Sequence, residues 1–289
     1  MDPKDTFFSQ KLTLVCQGRL IDFSVPKVMG ILNVTPDSFF DGGRYINEAS
    51  VIRRVSNMIA QGAEMLDVGA SSSRPGAAVI PPEEEKSRLR MALETIRNEF
   101  PDVIISIDTY NADVAEFAIK EFGAGLINDI SAGRWDDRML PLVGKLKVPI
   151  ILMHTLGNPQ IMQNHPVYTD VVKELIAFFA DRIAVAKQHD IKDMIIDPGF
   201  GFGKTIRHNF RLLRDLNLFT ILGVPIMVGL SRKSMIYKSI QTDPDGALNG
   251  TTVLNTLALS NGARILRVHD VKEAVEAVKL FGFYSSSGE

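Results

Sequence analysis

Ile104-Ile105-Ser106-Ile107-Asp108-Thr109, a longer segment closing on Gly123-Ala124, then Leu126-Ile127-Asn128-Asp129-Ile130: the fold is decided in this stretch. A short β-branched run, a helix-length segment and a second run follow one another. Both runs are almost wholly apolar, as strands buried on both faces must be, and both meet a polar residue near their end. The pattern repeats along the chain. Runs occupy 28–35, 65–70, 104–109, 126–130, 149–154, 194–199, 226–231 and 263–269. Between them, apolar residues return every three or four positions, as in 49–60 and at Val172, Leu175, Ile176, Phe179 and Ile183. Eight strand–helix alternations in 289 residues predict an α/β fold with a closed parallel barrel inside a ring of helices. An open doubly wound sheet is the alternative; it needs an edge strand, and these runs lack the polar face of an edge.

The segment before the first run differs. Residues 11–15 and 19–23 flank Cys16-Gln17-Gly18 and read as a β-hairpin placed to close the barrel's N-terminal end. No linker divides the chain, so one domain over 1–289 is expected, with the hairpin at 11–24 and the barrel at 28–281. The tail after Phe283 is polar and is expected to be disordered. An internal echo sets the register: Gly62-Ala63, Gly123-Ala124 and Gly262-Ala263 each follow a helix and lead into a strand. Aligned on these pairs, Asp67, Asn128 and Arg267 fall at one position of three strands. They are expected to share an orientation, with His269 two residues beyond Arg267 on the same side.

Composition narrows the function classes. With 34 acidic and 32 basic residues the net charge is -2, so nonspecific nucleic-acid binding has no electrostatic footprint. An anion must be held by a local site. The single cysteine, Cys16, excludes an internal disulfide and a thiolate metal cluster. The polar first ten residues and the short apolar runs point to a cytoplasmic protein with no membrane partner.

Polar residues close every run: Asn33, Asp67, Asp108, Asn128, His154, Asp197, Ser231 and His269. Any one is explained by strand ends being wet. Eight of eight point instead to a site assembled from several strand ends at one barrel face. The loops there add detail. Residues 33–43 form a long polar connection, and 69–77 carry hydroxyls and one arginine, as an anion-closing loop needs. Asp197-Pro198-Gly199-Phe200-Gly201-Phe202-Gly203-Lys204-Thr205 is not a phosphate loop, because Pro198 stands where that motif needs glycine. Its glycines would admit a flat ligand beside an aromatic wall, with at least one phenylalanine in the core. Ser231-Arg232-Lys233-Ser234 suits an anion at a strand-to-helix junction, with solvated side chains as the plain alternative and a Schiff-base Lys233 as another. In Arg267-Val268-His269-Asp270, Arg267 and His269 share a face and can clamp an anion.

Taken in order, Asn33-Val34-Thr35-Pro36-Asp37-Ser38-Phe39, Ser73-Arg74-Pro75-Gly76, Ile107-Asp108-Thr109, Ile127-Asn128-Asp129, Met153-His154, the 197–204 segment, Ser231-Arg232-Lys233-Ser234 and Arg267-Val268-His269-Asp270 resemble the motif set of the dihydropteroate synthase family. The likeness covers nearly the whole barrel. It implies a (β/α)8 (TIM) barrel, a homodimer and a sulfonamide target. The implied reaction joins 6-hydroxymethyl-7,8-dihydropterin diphosphate to p-aminobenzoate, with Mg²⁺, in folate synthesis. By the same resemblance, Asp197, Asn128 and Asp108 would meet the donor edge of the pterin, Lys233 its ring acceptors, and Arg267 its face. Asn33, Ser73, Arg267 and His269 would grip the diphosphate, with Arg74 nearby and Asn33 as the Mg²⁺ ligand. Phe39, Pro75 and Phe202 would enclose the aminobenzoate ring, and Ser234 with the helix start after it would hold its carboxylate. Asp108, Lys233, Arg267 and His269 form the expected catalytic set. The implied path is ionisation to a pterin-methylene cation, stabilised by Asp108, then attack by the amine. This chain departs from the pattern at Ser72-Ser73-Arg74-Pro75, where the family usually has threonine in place of Ser73, and at Thr155-Leu156-Gly157. Competing readings are a methyltetrahydrofolate methyltransferase, a lysine-dependent aldolase acting through Lys233 and a non-catalytic pterin-binding paralogue.

Overall fold

Residues 11–35, 47–71, 80–157 and 166–287 are described by a computed structural model. Strands β1 (Thr13–Cys16) and β2 (Arg19–Asp22) form the antiparallel hairpin. Eight parallel strands follow: β3 (Lys27–Asn33), β4 (Met65–Gly69), β5 (Ile104–Asp108), β6 (Leu126–Asp129), β7 (Ile150–Met153), β8 (Met194–Asp197), β9 (Met227–Val228) and β10 (Ile265–Val268). Neighbours pair in chain order from β3 to β8, and β10 lies between β3 and β9. The remaining seam, β8 against β9, is closed by the Ile196–Ile226 bridge and by Ile196 N donating to Pro225 O at 3.0 Å. The strands thus form a barrel, and the open-sheet alternative falls.

The helices stand between strands as the periodicity predicts: α1 (Glu48–Ala60), α2 (Pro82–Glu99), α3 (Ala112–Phe122), α4 (Met139–Leu146), α5 (Val171–Gln188), α6 (Ile206–Arg214), α7 (Ser234–Tyr237), α8 (Leu248–Ser260) and α9 (Val271–Ser286). Several start on a side-chain cap that accepts from otherwise unpaired N–H groups: Asn47 for α1, Asn111 for α3, Asp170 for α5 and Thr205 for α6. Gly62, Gly123 and Gly262, the residues of the internal echo, all have positive φ, the conformation that lets a helix end and the chain turn into the next strand. One expectation is corrected. The tail does not leave the fold at Phe283, because α9 runs on to Ser286, where its last turns still form backbone hydrogen bonds.

Burial divides the apolar residues in two. One set, including Leu66, Val68, Ile105, Ile107 and Leu266, packs outward against the helices. A second set points into the cylinder: Met29, Met65, Leu126, Ile151, Ile195, Met227 and Ile265, packed with Leu14, Cys16 and Phe23. Phe23, just after the hairpin, is completely buried there. The hairpin therefore stoppers the N-terminal end of the barrel, as its position before the first barrel strand suggests. Side chains alternate along a strand, so the next inward positions, two residues on, face the opposite mouth.

Candidate active site

Four of those next positions are polar: Asp67 on β4, Asn128 on β6, Asp197 on β8 and Arg267 on β10. Asp67 on β4 is wholly buried and accepts three hydrogen bonds: from Ser106 Oγ on β5 at 2.6 Å, Asn128 Nδ2 on β6 at 2.9 Å and Arg267 Nε on β10 at 2.6 Å. Arg267 also donates through Nη2 to Asp108 Oδ2 at 2.6 Å. One guanidinium thus bridges two carboxylates across the barrel interior, and its Nη1 takes part in neither pair. Burial disfavours the Arg267 cation, but Asp67 and Asp108 outweigh it and its pKa is raised. Asp108 is pushed up to about 7, chiefly by burial and also by Asp67, with Arg267 opposing. Asn128 Oδ1 is buried without a hydrogen-bond partner, an acceptor whose capacity is unused within the protein.

The second group is Asp197, at the end of β8, with Lys233, in the turn after β9. Asp197 Oδ1 accepts from Gly199 N at 2.7 Å, which shapes the turn after the strand. Burial raises the Asp197 pKa while Lys233 opposes it. Burial lowers Lys233 to about 8, with Asp197 opposing and Arg267 adding to the drop. Lys233 Nζ donates to Phe200 O and lies 4.6 Å from the centroid of the Phe202 ring. Of the phenylalanine pair, Phe200 is fully buried in the core and Phe202 is half-buried beside Lys233.

The third group lies at the ends of β9 and β10. Ser231 Oγ accepts from His269 N at 3.2 Å and is 3.1 Å from His269 Nδ1, and the His269 carbonyl accepts from Arg54 on α1 at 2.8 Å. Burial and the Arg267 charge depress the His269 pKa to about 4, so the ring is neutral near pH 7. Arg232 departs from the anion-site expectation. Its guanidinium grips Asp270 through two hydrogen bonds of 3.0 and 2.9 Å, and Thr251 Oγ1 holds its backbone N–H at φ +55°. It ties the β9 turn to the β10 turn, and of the Arg232-Lys233 pair only Lys233 faces Asp197.

Three further placements matter. Half-buried Asn33 closes β3 at the same mouth, and Ser234 opens α7 beside Lys233. α7 is a single turn, so any anion there depends more on the Ser234 hydroxyl than on a helix dipole. His154 does not join the mouth cluster; it faces Lys204, which is buried behind the 197–204 turn. The glycines of that turn do not line an open wall throughout. A Cβ on Gly199 would lie 2.1 Å from His154 O and one on Gly203 2.7 Å from Leu156 Cβ, so both press on the end of β7; Gly201 alone faces Lys233. Phe39, Ser73, Arg74 and Pro75 lie outside the described residues.

Asp67 stands in the sequence only as one of the eight strand-end residues with no part of its own, and Ser106 and Lys204 stand outside that set. A carboxylate inside an apolar strand is a signal for Asp67, because a buried charge must be paired. The period-two step back from Asp108 would have found Ser106. Lys204 gives no clear signal, since its distant partner His154 is brought to it only by folding.

Comparison with known proteins agrees with this geometry. Residues 29–269 match the family described as pterin binding enzyme. The dihydropteroate synthase of Escherichia coli K12 is 42% identical over 271 residues, covering 93% of this chain and 95% of that protein. The Yersinia pestis dihydropteroate synthase, solved as a sulfonamide drug complex, superposes with a TM-score of 0.89 at 38% identity, over 95% of this chain and 100% of that one. The Xanthomonas albilineans dihydropteroate synthase in complex with 7,8-dihydropteroate gives 0.83 at 36% identity, over 95% and 99%.

Proposed function

The chain belongs to the dihydropteroate synthase family, and from that premise we infer that its barrel mouth condenses 6-hydroxymethyl-7,8-dihydropterin diphosphate with p-aminobenzoate, releasing diphosphate and 7,8-dihydropteroate. The carrying observation is the placement of Asp67, Asp108, Asn128 and Arg267 in one hydrogen-bonded cluster at that mouth. A pterin presents an amino-pyrimidinone edge rich in N–H donors. Asp197 and the spare Asn128 Oδ1 are acceptors for that edge. Lys233 supplies the donor for ring acceptors, and the flat Arg267 guanidinium covers the pterin face.

Arg267, neutral His269, Ser73 and Asn33 then hold the diphosphate, with Arg74, next to Ser73 in the sequence, as a further cation for it. Cleavage of the C–O bond sends its electron pair to the departing diphosphate and leaves a cation on the pterin methylene. Asp108 is the carboxylate that stabilises that charge, and Arg267 keeps it oriented. The amine of p-aminobenzoate attacks the methylene carbon, forming the C–N bond, and the resulting ammonium gives its proton to water. Phe202 and Phe39 enclose its ring, with Ser234 on its carboxylate. No covalent bond to Lys233 is required, which separates this reading from an aldolase. Among the described residues no group of three or more His, Cys, Asp or Glu builds a metal cage. A lone amide at Asn33 suits Mg²⁺, which keeps waters and takes its remaining ligands from phosphate oxygens. When bound there the ion would neutralise charge on the leaving group.

Among the described residues, no helix is long and apolar enough to cross a membrane. A homodimer is supported by exposed apolar side chains on the packed pair α8 and α9: Val253, Leu257, Leu280, Phe283 and Tyr284. Sedimentation equilibrium should return twice the chain mass, and a monomer at micromolar concentration would remove the dimer from this reading. The function is tested with purified protein and the pterin diphosphate. Dihydropteroate should form only when p-aminobenzoate is added and should depend on Mg²⁺. Absence of product from folded protein under those conditions overturns the assignment.

A further inference from the structure

Lys204 is almost fully buried, 4% exposed, on the side of the 197–204 turn away from the mouth. Its Nζ lies 2.9 Å from Phe202 O, 3.0 Å from Gly199 O, 3.0 Å from His154 Nδ1 and 3.2 Å from His154 O. The three nearest acceptors match the three protons of an ammonium. A neutral amine would leave a lone pair facing a carbonyl. Burial lowers the Lys204 pKa well below its ordinary value, the Asp197 carboxylate opposes that, and the Lys233 and Arg134 charges add to the drop. His154 is held neutral, its pKa depressed to about 2 by burial and then by Lys204, and with its remaining proton on Nε2 its Nδ1 accepts from Lys204.

The turn gains its shape from glycines at 199, 201 and 203, all with positive φ. Alternate left-handed residues rotate successive carbonyls to opposite sides. Gly199 O and Phe202 O meet Lys204 behind the turn, while Phe200 O meets Lys233 in front. One short backbone segment is thus held between two lysines, one sealed in the core and one in the mouth. The segment begins at Asp197, carries Phe202 and receives Lys233 at Phe200 O, so all three of these groups depend on it.

We propose that Lys204 is a positioning residue for the pterin half of the site. By fastening the turn to His154 at the end of β7, it fixes the spacing of Asp197, Lys233 and Phe202. Lys204 touches neither substrate nor reacting atoms; it acts through the turn. The inference rests on the synthase reading and deepens it.

The test uses full-length protein, with calorimetric binding of 6-hydroxymethyl-7,8-dihydropterin and, separately, of inorganic diphosphate. In Lys204→Met the pterin affinity should fall about tenfold or more, as for a lost set of buried charge-assisted hydrogen bonds. Diphosphate affinity should stay within about twofold, because Arg267 and His269 are held by other strands. Lys204→Gln keeps two donors and should fall between wild type and Lys204→Met. It also decides the question if the methionine variant does not fold. Wild-type pterin affinity in a folded variant overturns the positioning role, as does an equal loss of pterin and diphosphate binding in step with melting temperature. Failure of the wild-type protein itself to bind the pterin overturns the synthase reading and takes this inference with it.

Discussion

Two residues along the same strands separate an apolar floor from a charged mouth. Met65, Leu126, Ile195 and Ile265 point inward at the hairpin end; Asp67, Asn128, Asp197 and Arg267 follow them at the other. Backbone, strand pairing and curvature are shared, so the difference lies in the side chains alone. The floor is held by volume and exclusion of water, which tolerate many apolar combinations. The mouth holds charge in a poorly solvated place, where each group is stable only while its partner is present. The floor therefore carries stability and the mouth carries chemistry, and substitutions should separate the two.

The largest effect is expected at Arg267. Arg267→Met leaves Asp67 and Asp108 facing each other without their shared cation. Breaking a buried pair from one side costs about 3–5 kcal/mol of stability. The rate should also fall by about 10²–10³, as when a preorganised charge at a reacting centre is removed. Urea unfolding and a steady-state assay read the two losses. A variant that keeps near-wild-type turnover would show that the bridge is a structural device only.

The floor should behave otherwise. Phe23→Ala empties a fully buried ring from the stopper, and such truncations cost about 3–5 kcal/mol. At temperatures where the variant is folded, kcat/KM should stay within about twofold of wild type, because the cavity lies at the far end from Asp108 and Lys233. A tenfold loss of kcat/KM in folded protein would mean that floor and mouth are mechanically coupled.

The same contrast explains what could be read before folding. The eight runs, the hairpin and the shared orientation of Asp67, Asn128 and Arg267 follow from periodicity and from the glycine echo, which are local. The runs overlap all eight barrel strands, and Asn128 and Arg267 both reach Asp67. What escaped was pairing over long sequence distance. Arg232 reads as a free cation until Asp270 is folded against it, and Lys204 until β7 brings His154. The 197–204 glycines read as room for a ligand, and two of them instead make room for the end of β7. The exact extent of α9 escaped as well, because serines and tyrosine carry no strong helix-stop signal.

The smallest predicted effect is a pH dependence that belongs to the mouth alone. Asp108, raised to about 7 chiefly by burial, must be ionised to stabilise a pterin cation, so protonation below that pH removes activity. Lys233, lowered to about 8 chiefly by burial, must be protonated to donate to the ring, so deprotonation above that pH removes it. The expected kcat/KM profile is a narrow bell, falling about tenfold per pH unit outside the two limits. His269, depressed to about 4, stays neutral throughout and adds no limb. Phe23→Ala should keep the profile unchanged. Asp108→Asn should lower the maximum and abolish the enzyme's acid limb, and because the substrate's own diphosphate titrates equally in both proteins, the difference between profiles isolates Asp108. An acid limb unchanged in Asp108→Asn would move the titration to another group. Glu85 on α2 is then the next to replace: burial pushes it up to about 7, it faces the Thr109 hydroxyl, and one of its carboxyl oxygens is buried without a hydrogen-bond partner.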